Sequence, residues 1–316
     1  MKTKIIAVAG PTASGKTSLA IEIAKKVGGE VISNDSMQIY RGMEIGTAAP
    51  TAEEMDGVVH HMVGVCSPTD EFSCQDYSVR AREIIEDIKG RGKVPVFCGG
   101  TGLYLDSVLS VSDMSESEKD TSVRDRLSAL AEKEGAEALH NMLCSIDPEA
   151  AQSIHMNNVR RVIRAIEIYE TTGITKTEWD RRSKKRELPY DVSMAIIEFA
   201  DRELLYSRID RRVDIMMKQG LLSEVQALFE KGLLHRDKPA FQAIGYKEFI
   251  PYFEGTSSLI ECTEAVKQSS RRYAKRQITW FRRYPDAVRL TADKDGSVRS
   301  AKELCLEFLE RTGFKN

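Results

Sequence analysis

The sequence predicts an α/β protein, a parallel sheet flanked by helices with an all-helical segment inserted. Three observations carry this expectation. Short apolar runs alternate with helical patterns in the first part of the chain. A glycine-rich turn joins the first run to the first helix. Past residue 111 the alternation gives way to helix alone.

Ile5 to Ala9 is a continuous apolar run, as a strand buried on both faces requires. A secretion signal has a similar run, but here glycines and a lysine interrupt it at once and no cleavage-site pattern follows. A helix is expected from about Thr17 to Val27. Glu30 to Ser33 reads as a second strand ending at Asn34-Asp35, and His61 to Val65 as a weaker third. Tyr77 to Lys89 has apolar residues at helical spacing and stops at Gly90-Arg91-Gly92. Val94 to Cys98 is a further buried strand, closed by Gly99-Gly100-Thr101-Gly102. Ser112 to Ser122 is polar and acidic and reads as a linker. Val123 to about Trp179 looks wholly helical, and Ala195 to Phe199 returns to strand. The expected organisation is a core of residues 1–111 and 191–316, interrupted by a helical insertion over 112–190. The remainder of the core is expected to be mostly helical.

Composition narrows the class. The chain has 316 residues, 41% hydrophobic and 30% charged. That balance excludes a fibre, a largely disordered chain and a membrane protein, and no run reaches the roughly 18 apolar residues of a membrane span. The net charge of −2 argues against indiscriminate coating of nucleic acid but leaves local patches open. Six cysteines show no C-x-x-C spacing, so reduced thiols in the cytoplasm fit better than disulfides or zinc. The pair His60-His61 has no third ligand nearby and reads as packed or capping.

Gly10-Pro11-Thr12-Ala13-Ser14-Gly15-Lys16-Thr17 fits G-x-x-x-x-G-K-[ST] between a buried strand and a helix. The glycines let backbone N–H groups turn around an anion, and the helix N-terminus adds its dipole. Lys16 supplies a mobile positive charge, and the Thr17 hydroxyl suits Mg²⁺. A nucleoside triphosphate is the default occupant, yet any Mg-diphosphate presents the same charges. Ligands of open parallel sheets sit beyond the carboxyl ends of the strands. Asp35, with Ser36, Met37 and Gln38, should therefore face the cradle, and so should Thr101. Asp35 is either a turn or capping residue or a carboxylate that holds a metal shell or takes a proton. Thr101 is either part of an ordinary tight turn or a ligand contact.

From Arg271 to Arg283 the chain carries six cations and no acid, interleaved with aromatics, and it ends at Pro285. At about 100° per residue, Tyr273, Trp280 and Tyr284 form one stripe, expected to pack on the core. Arg272, Arg276 and Arg283 form a second. Self-repulsion without an anion favours a nucleic-acid backbone opposite this helix. Arg160, Arg161 and Arg164 lie on an amphipathic helix and form a second patch. Arg181 to Arg186 is either a third patch or a solvated loop. Arg208 and Arg212, four residues apart, either clamp a diphosphate or pair with Asp210 or Glu203.

Taken together, these segments resemble the bacterial tRNA dimethylallyltransferases. The matching motifs run from Ile5 to Tyr284: the glycine loop; Asp35-Ser36-Met37-Gln38 with Tyr40; Gly46-Thr47-Ala48; Gly99 to Tyr104; Arg160-Arg161-Val162-Ile163-Arg164-Ala165; Arg208-Ile209 with Arg212-Val213-Asp214; Ala243 to Glu248; and Tyr273 to Gln277 with Thr279 to Arg282. Phe97-Cys98 departs from the more aliphatic family pattern and is expected to lie away from the chemistry. Asn34 is a lesser departure.

The resemblance implies a P-loop NTPase-like fold. It implies transfer of a dimethylallyl group from dimethylallyl diphosphate to N6 of the adenosine 3′-adjacent to the anticodon, in tRNAs reading codons that begin with U. Diphosphate is released, Mg²⁺ is required, and no nucleotide need be hydrolysed. Residues Gly10 to Thr17, with Arg208 and Arg212, would hold the diphosphate, and Thr17 the metal. Lys16 and Thr101 would stabilise the leaving group, and Asp35 would accept the amino proton. Ser36, Met37, Gln38, Thr101, Arg124, Arg160, Arg161, Val162, Ile163, Arg164, Arg272, Arg276 and Arg283 would contact the anticodon stem-loop, with Asp35 at the target base. A cytoplasmic monomer is expected. Three other readings share parts of this evidence: a small-molecule kinase, a prenyltransferase acting on free adenine nucleotides, and a nucleotide-switched RNA-binding protein without chemistry.

Overall fold

The computed structural model describes residues 2–109, 122–184 and 189–314. The first strand shows why its run is continuous. β1 (Thr3–Ala9) sends Ile5, Ala7 and Ala9 to one face of a sheet and Ile6 and Val8 to the other, and both faces are covered. The other strands of this sheet are β2 (Gly29–Ser33), β3 (His60–His61), β4 (Val94–Gly99), β5 (Tyr190–Glu198) and β6 (Val288–Thr291). All six are parallel, in the order β3-β2-β4-β1-β5-β6. On one face, helices Lys16–Val27 and Ala301–Thr312 pack Leu19, Ile23, Leu304 and Phe308 against Ile6, Val8, Val96 and Ile197. On the other, helices Cys74–Gly90, Gly102–Leu109, Leu221–Glu230 and Leu259–Phe281 cover Ile5, Ile32 and Phe97.

The chain forms two compact units, residues 1–109 with 190–316, and residues 110–189. The expected linker 112–122 lies almost entirely outside the described residues. In the second unit, helix Ser122–Ile146 breaks at Gly135, where φ is 89°. Helices Pro148–Ser153, Val159–Thr172 and Lys176–Lys184 follow. Leu127, Leu139, Leu143, Val162 and Ile166 form its core. Among the described residues, no helix is long and apolar enough to cross a membrane.

One strand expectation needs correction. The third strand is two residues long, not His61 to Val65. Met62 and Gly64 adopt left-handed φ of 62° and 61°, which turns the chain off the sheet. The C-terminal part is mostly helical as expected, and the short β6 in it closes the sheet against β5. The helix expected at Tyr77 begins at Cys74, set by a capping box between Ser73 and Asp76.

At the amino end of β2, Glu30 is 1% exposed and gathers two cationic side chains and a histidine. Arg91 binds it through both terminal nitrogens, Lys93 Nζ lies 2.8 Å away, and His61 Nε2 lies 2.8 Å away. The Arg91 hydrogen bond is the main reason its carboxyl is held well below the ordinary value of 4.5, with burial opposing. A depressed carboxyl stabilises the fold above its unfolded value, and this contribution fades as pH falls below it. Glu30→Gln should lower the unfolding free energy at pH 7 by about 1–3 kcal/mol. The gap from the native chain should narrow steadily below pH 4.5 in urea titrations. A gap of constant size down to pH 2 would remove Glu30 as the source of acid sensitivity (about two pH units are needed to read it).

Candidate active site

The strand order decides what can meet. β2, β4 and β1 are adjacent, so the segments leaving their carboxyl ends converge. Neighbouring strands lie about 4.8 Å apart, which places the ends of β1 and β2 about 10 Å from each other with β4 between. Gly10 leaves β1 with φ 144°, and a Cβ there would sit 2.8 Å from the Ile197 carbonyl oxygen of β5. Only glycine lets the loop turn this tightly beside the neighbouring strand. Ala13 and Gly15 also take positive φ, and helix Lys16–Val27 starts with no acidic residue in its first turn. Its dipole is therefore left positive toward the loop.

A cavity of about 820 Å³ opens over these ends. Thr12 to Thr17, Asp35, Gln38, Cys98, Arg208, Arg212, Tyr273 and Gln277 line it, with the 44–51 segment as a further wall. Lys16 Nζ donates to the Pro11 carbonyl at 2.6 Å, and Arg208 Nε to the Ala13 carbonyl at 3.0 Å. Neither cation, nor Arg212, forms an ion pair with a described residue. The alternative partner Asp210 is taken by Arg271. Burial brings the Lys16 ammonium down to about 8, with Arg212 pushing the same way. Burial also lowers both guanidiniums, against the pull of Asp35 and Glu54 on Arg212. This wall of unneutralised cations suits a polyanion.

Asp35 sits half-buried at the end of β2. Its Oδ1 accepts from the Met37 amide at 2.9 Å, and among the described residues Oδ2 has no hydrogen-bond partner. Thr101 follows β4. Its hydroxyl accepts from the Ser36 amide at 3.0 Å and lies 3.3 Å from Ser36 Oγ, while its own amide donates to the Asn34 carbonyl. The Asp35 and Thr101 segments are thus tied together. Met37 packs partly against the core. Gln38 spends both ends of its carboxamide internally: Oε1 accepts from Ser33 Oγ at 2.8 Å, and Nε2 donates to the carbonyls of Thr47 and Ala48. It braces the cavity wall rather than reaching outward.

The expected magnesium fits this donor set in part. The Thr17 hydroxyl is a hard oxygen donor, and buried Ser14 Oγ has no hydrogen-bond partner. Among the described residues no group of three His, Cys, Asp or Glu could hold a metal alone. Mg²⁺ commonly takes one or two protein oxygens and completes its shell from phosphates and water, so a single hydroxyl is enough.

Several expectations change. Cys98 does not lie away from the chemistry: it lines the cavity and hydrogen-bonds with Thr17. Burial raises its thiol to about 11, so it stays protonated at neutral pH. Val162 and Ile163 are buried in the helical unit, where their side chains serve its core. Arg124 and Arg164 both bind Glu167, which is 1% exposed, at 2.8 and 3.0 Å. Arg160 and Arg161 on the same helix are exposed, without ion pairs among the described residues. Arg181 and Arg182 pair with Glu149 and Glu178. The remainder of that basic run, residues 183–186, has no described side chains.

The helix Leu259–Phe281 meets acids from other elements. Arg271 pairs with Asp210, and Arg283 lies 3.2 Å from Asp106 and 4.2 Å from the Trp280 ring centre. Arg272 and Arg276 stay exposed and outside any ion pair with a described residue, with Arg276 over the Tyr273 ring. Trp280 and Tyr284 pack on the core as expected, whereas Tyr273 faces the cavity.

Sequence reading missed Glu224 and Gln277. Glu224 accepts from the amides of Ile45 and Gly46 at 2.8 and 3.0 Å, and the Tyr246 hydroxyl lies 2.7 Å from it. A Cβ on Gly46 would sit 2.5 Å from the Tyr246 ring, so this wall is seated by close approach. Gln277 is 4% exposed and touches both the phosphate loop and the Gly99–Gly102 turn. The sequence placed it in a matching motif and as a polar residue on the apolar face of a helix, but gave it no role.

The fold and site define a P-loop class of α/β protein whose cavity is built for a phosphate-bearing ligand. The IPP transferase family pattern matches residues 38–284 and an isopentenyl transferase pattern matches residues 3–63. The chain is 50% identical over 282 residues to the tRNA dimethylallyltransferase of Geobacillus thermodenitrificans, covering 89% of this chain and 88% of that one. It is 49% identical to the Bacillus cytotoxicus protein of the same name over 91% of this chain and 90% of that one. Among solved structures it is similar to the tRNA isopentenylpyrophosphate transferase of Bacillus halodurans, with TM-score 0.72 and 42% identity, covering 99% and 96% of the two chains. A eukaryotic dimethylallyltransferase acting on tRNA has TM-score 0.80 and 33% identity, covering 92% of this chain and 74% of that one. The chain belongs to the IPP transferase family.

The lysine makes the site testable without turnover. In protein labelled isotopically at lysine nitrogen, one ammonium should titrate near pH 8, far from the ordinary 10.5, and vanish in Lys16→Met. Above that pH the wall loses a positive charge, so anion attraction weakens. A Lys16 midpoint at the ordinary value would show that burial does not depress it.

Proposed function

We propose that this chain transfers a dimethylallyl group from dimethylallyl diphosphate to N6 of the adenosine 3′-adjacent to the anticodon, in tRNAs reading codons that begin with U. The observation that carries the reading is the meeting of strand ends: a cationic phosphate loop after β1 and Asp35 after β2 line one cavity, and Thr101 after β4, outside that lining, is hydrogen-bonded to the Ser36 amide. Names borne by relatives at about half identity support the substrates.

The diphosphate lies against Lys16, Arg208, Arg212 and the loop amides. As the carbon–oxygen bond to the prenyl group breaks, these groups stabilise the growing charge on the leaving diphosphate. The Thr17 hydroxyl would hold Mg²⁺ together with the diphosphate, and the metal would supply further charge neutralisation there. The adenine amino group is a poor nucleophile because its lone pair is drawn into the ring. Asp35 Oδ2 takes its proton as nitrogen bonds to the allylic carbon, and Oδ1 stays anchored on the Met37 amide. Thr101, tied to Ser36, places the Asp35 segment relative to the base. The target base must leave its stack to enter, at a cost of a few kcal/mol. Arg272 and Arg276, with Arg160 and Arg161 of the helical unit, hold the stem-loop phosphates. The same reading takes the protein to be a cytoplasmic monomer, as the family resemblance implies.

Incubation with dimethylallyl diphosphate and tRNA, followed by nucleoside mass analysis, should show one five-carbon unit on adenosine. Label entering only from ATP would instead favour a kinase. Asp35→Asn should lower kcat by about 10²–10⁴ while tRNA affinity holds. Full activity in that variant would remove Asp35 as the base. The Arg272→Ala, Arg276→Ala double variant should weaken tRNA binding and reduce the log–log salt slope by about 2. An unchanged slope would place the RNA elsewhere.

A further inference from the structure

Among the described residues, Gln277 is the one whose side chain bonds to the backbone of both loops. Its Oε1 accepts from the Thr12 amide at 2.8 Å, and its Nε2 donates to the Gly100 carbonyl at 3.2 Å. The two partners have opposite polarity, which fixes the orientation of the amide. Neither a cationic side chain, which only donates, nor an ionised carboxylate, which only accepts, can satisfy both. Gly100 has no left-handed φ that would demand glycine. Its requirement is space, because a Cβ there would lie 1.8 Å from Nε2. One turn earlier on the same helix, the Tyr273 hydroxyl hydrogen-bonds with the side chains of Thr101 and Gln277. The Thr12 amide is thereby withdrawn from anion binding and used to hold the loop in place.

The geometry points to Gln277 as a positioning residue: its carboxamide sets the span between the phosphate loop and the Gly99–Gly102 turn, and so the distance from the leaving diphosphate to the proton-accepting side. What is positioned rests on the prenyl-transfer reading. The bridge itself does not, since it reads out in diphosphate binding alone. A misplacement of about 1 Å can cost about 10²-fold in rate, so such a span matters to the chemistry.

The test compares Gln277→Glu and Gln277→Met in the full chain. At pH 8 both should lower kcat by about tenfold or more, with tRNA affinity unchanged. In Gln277→Glu the rate should recover as pH falls through the carboxyl's titration. The protonated acid offers a hydroxyl to Gly100 and a carbonyl oxygen to Thr12. Gln277→Met, which lacks both groups at every pH, should show no recovery. Calorimetric titration with inorganic pyrophosphate should show weaker binding in Gln277→Met than in the native chain. If the native chain binds pyrophosphate but transfers no prenyl group, the functional reading fails and this affinity still decides the bridge. Gly100→Ala attacks the same contact from the other side and should reproduce the loss, whether or not the Gln277 variants fold. The proposal is overturned if Gly100→Ala and the Gln277 variants keep native kcat and pyrophosphate affinity. It is equally overturned if both Gln277 variants lose rate equally at every pH in step with their melting temperatures, as a mere core filler would.

Discussion

Positive charge held without a paired carboxylate is the constraint on which this molecule depends. Lys16, Arg208 and Arg212 share one cavity wall, and burial disfavours the charged form of each. A fold tolerates this only where a ligand repays the desolvation or where the backbone solvates the charges. Here the backbone does part of it, through the carbonyls of Pro11 and Ala13. The loop can offer those carbonyls because Gly10, Ala13 and Gly15 bend it through positive φ. The central strands β1 and β4, covered on both faces, hold the loop ends still. Asp35 stands near enough to bias Lys16 and Arg212, yet makes no salt bridge that would cancel the wall.

What could be read in the sequence was local. The glycine loop, Asp35 after β2 and Thr101 after β4 are each set by a strand, a turn and a few neighbouring residues. Their convergence follows from parallel topology alone. What could not be read was long-range. Glu224 finds Ile45 and Gly46 across some 180 positions, and Gln277 finds Thr12 across 265. No periodicity encodes such a pairing. β6 escaped because four residues, half-exposed and containing Arg289, look like neither a buried strand nor an amphipathic helix. The third strand was overextended because hydrophobicity does not reveal the left-handed turn at Met62. Cys98 was misplaced because departure from a family pattern says nothing about which way a strand residue points.

Charge runs were the least faithful guide. Acids, several of them distant in sequence, pair with part of what looked like a bare cationic surface. Asp210 and Asp106 take Arg271 and Arg283, and buried Glu167 takes Arg124 and Arg164. The cations left over include Arg272 and Arg276 in one unit and Arg160 and Arg161 in the other. On the helix Leu259–Phe281 each of the two lies next to an inward residue of the site, Arg272 beside Tyr273 and Arg276 beside Gln277. One helix thus presents cations outward and braces the reaction centre inward.

The central claim is that a cradle of the kind used for nucleotides here receives the head group of an isoprenoid. The most direct measurement is a crystal structure with an unreactive thio analogue of dimethylallyl diphosphate. The account predicts the diphosphate within hydrogen-bond distance of Lys16 Nζ, Arg208 and the loop amides, with the allylic carbon directed toward Asp35. A head group bound away from the lysine loop, with the loop left to a nucleotide, would contradict it.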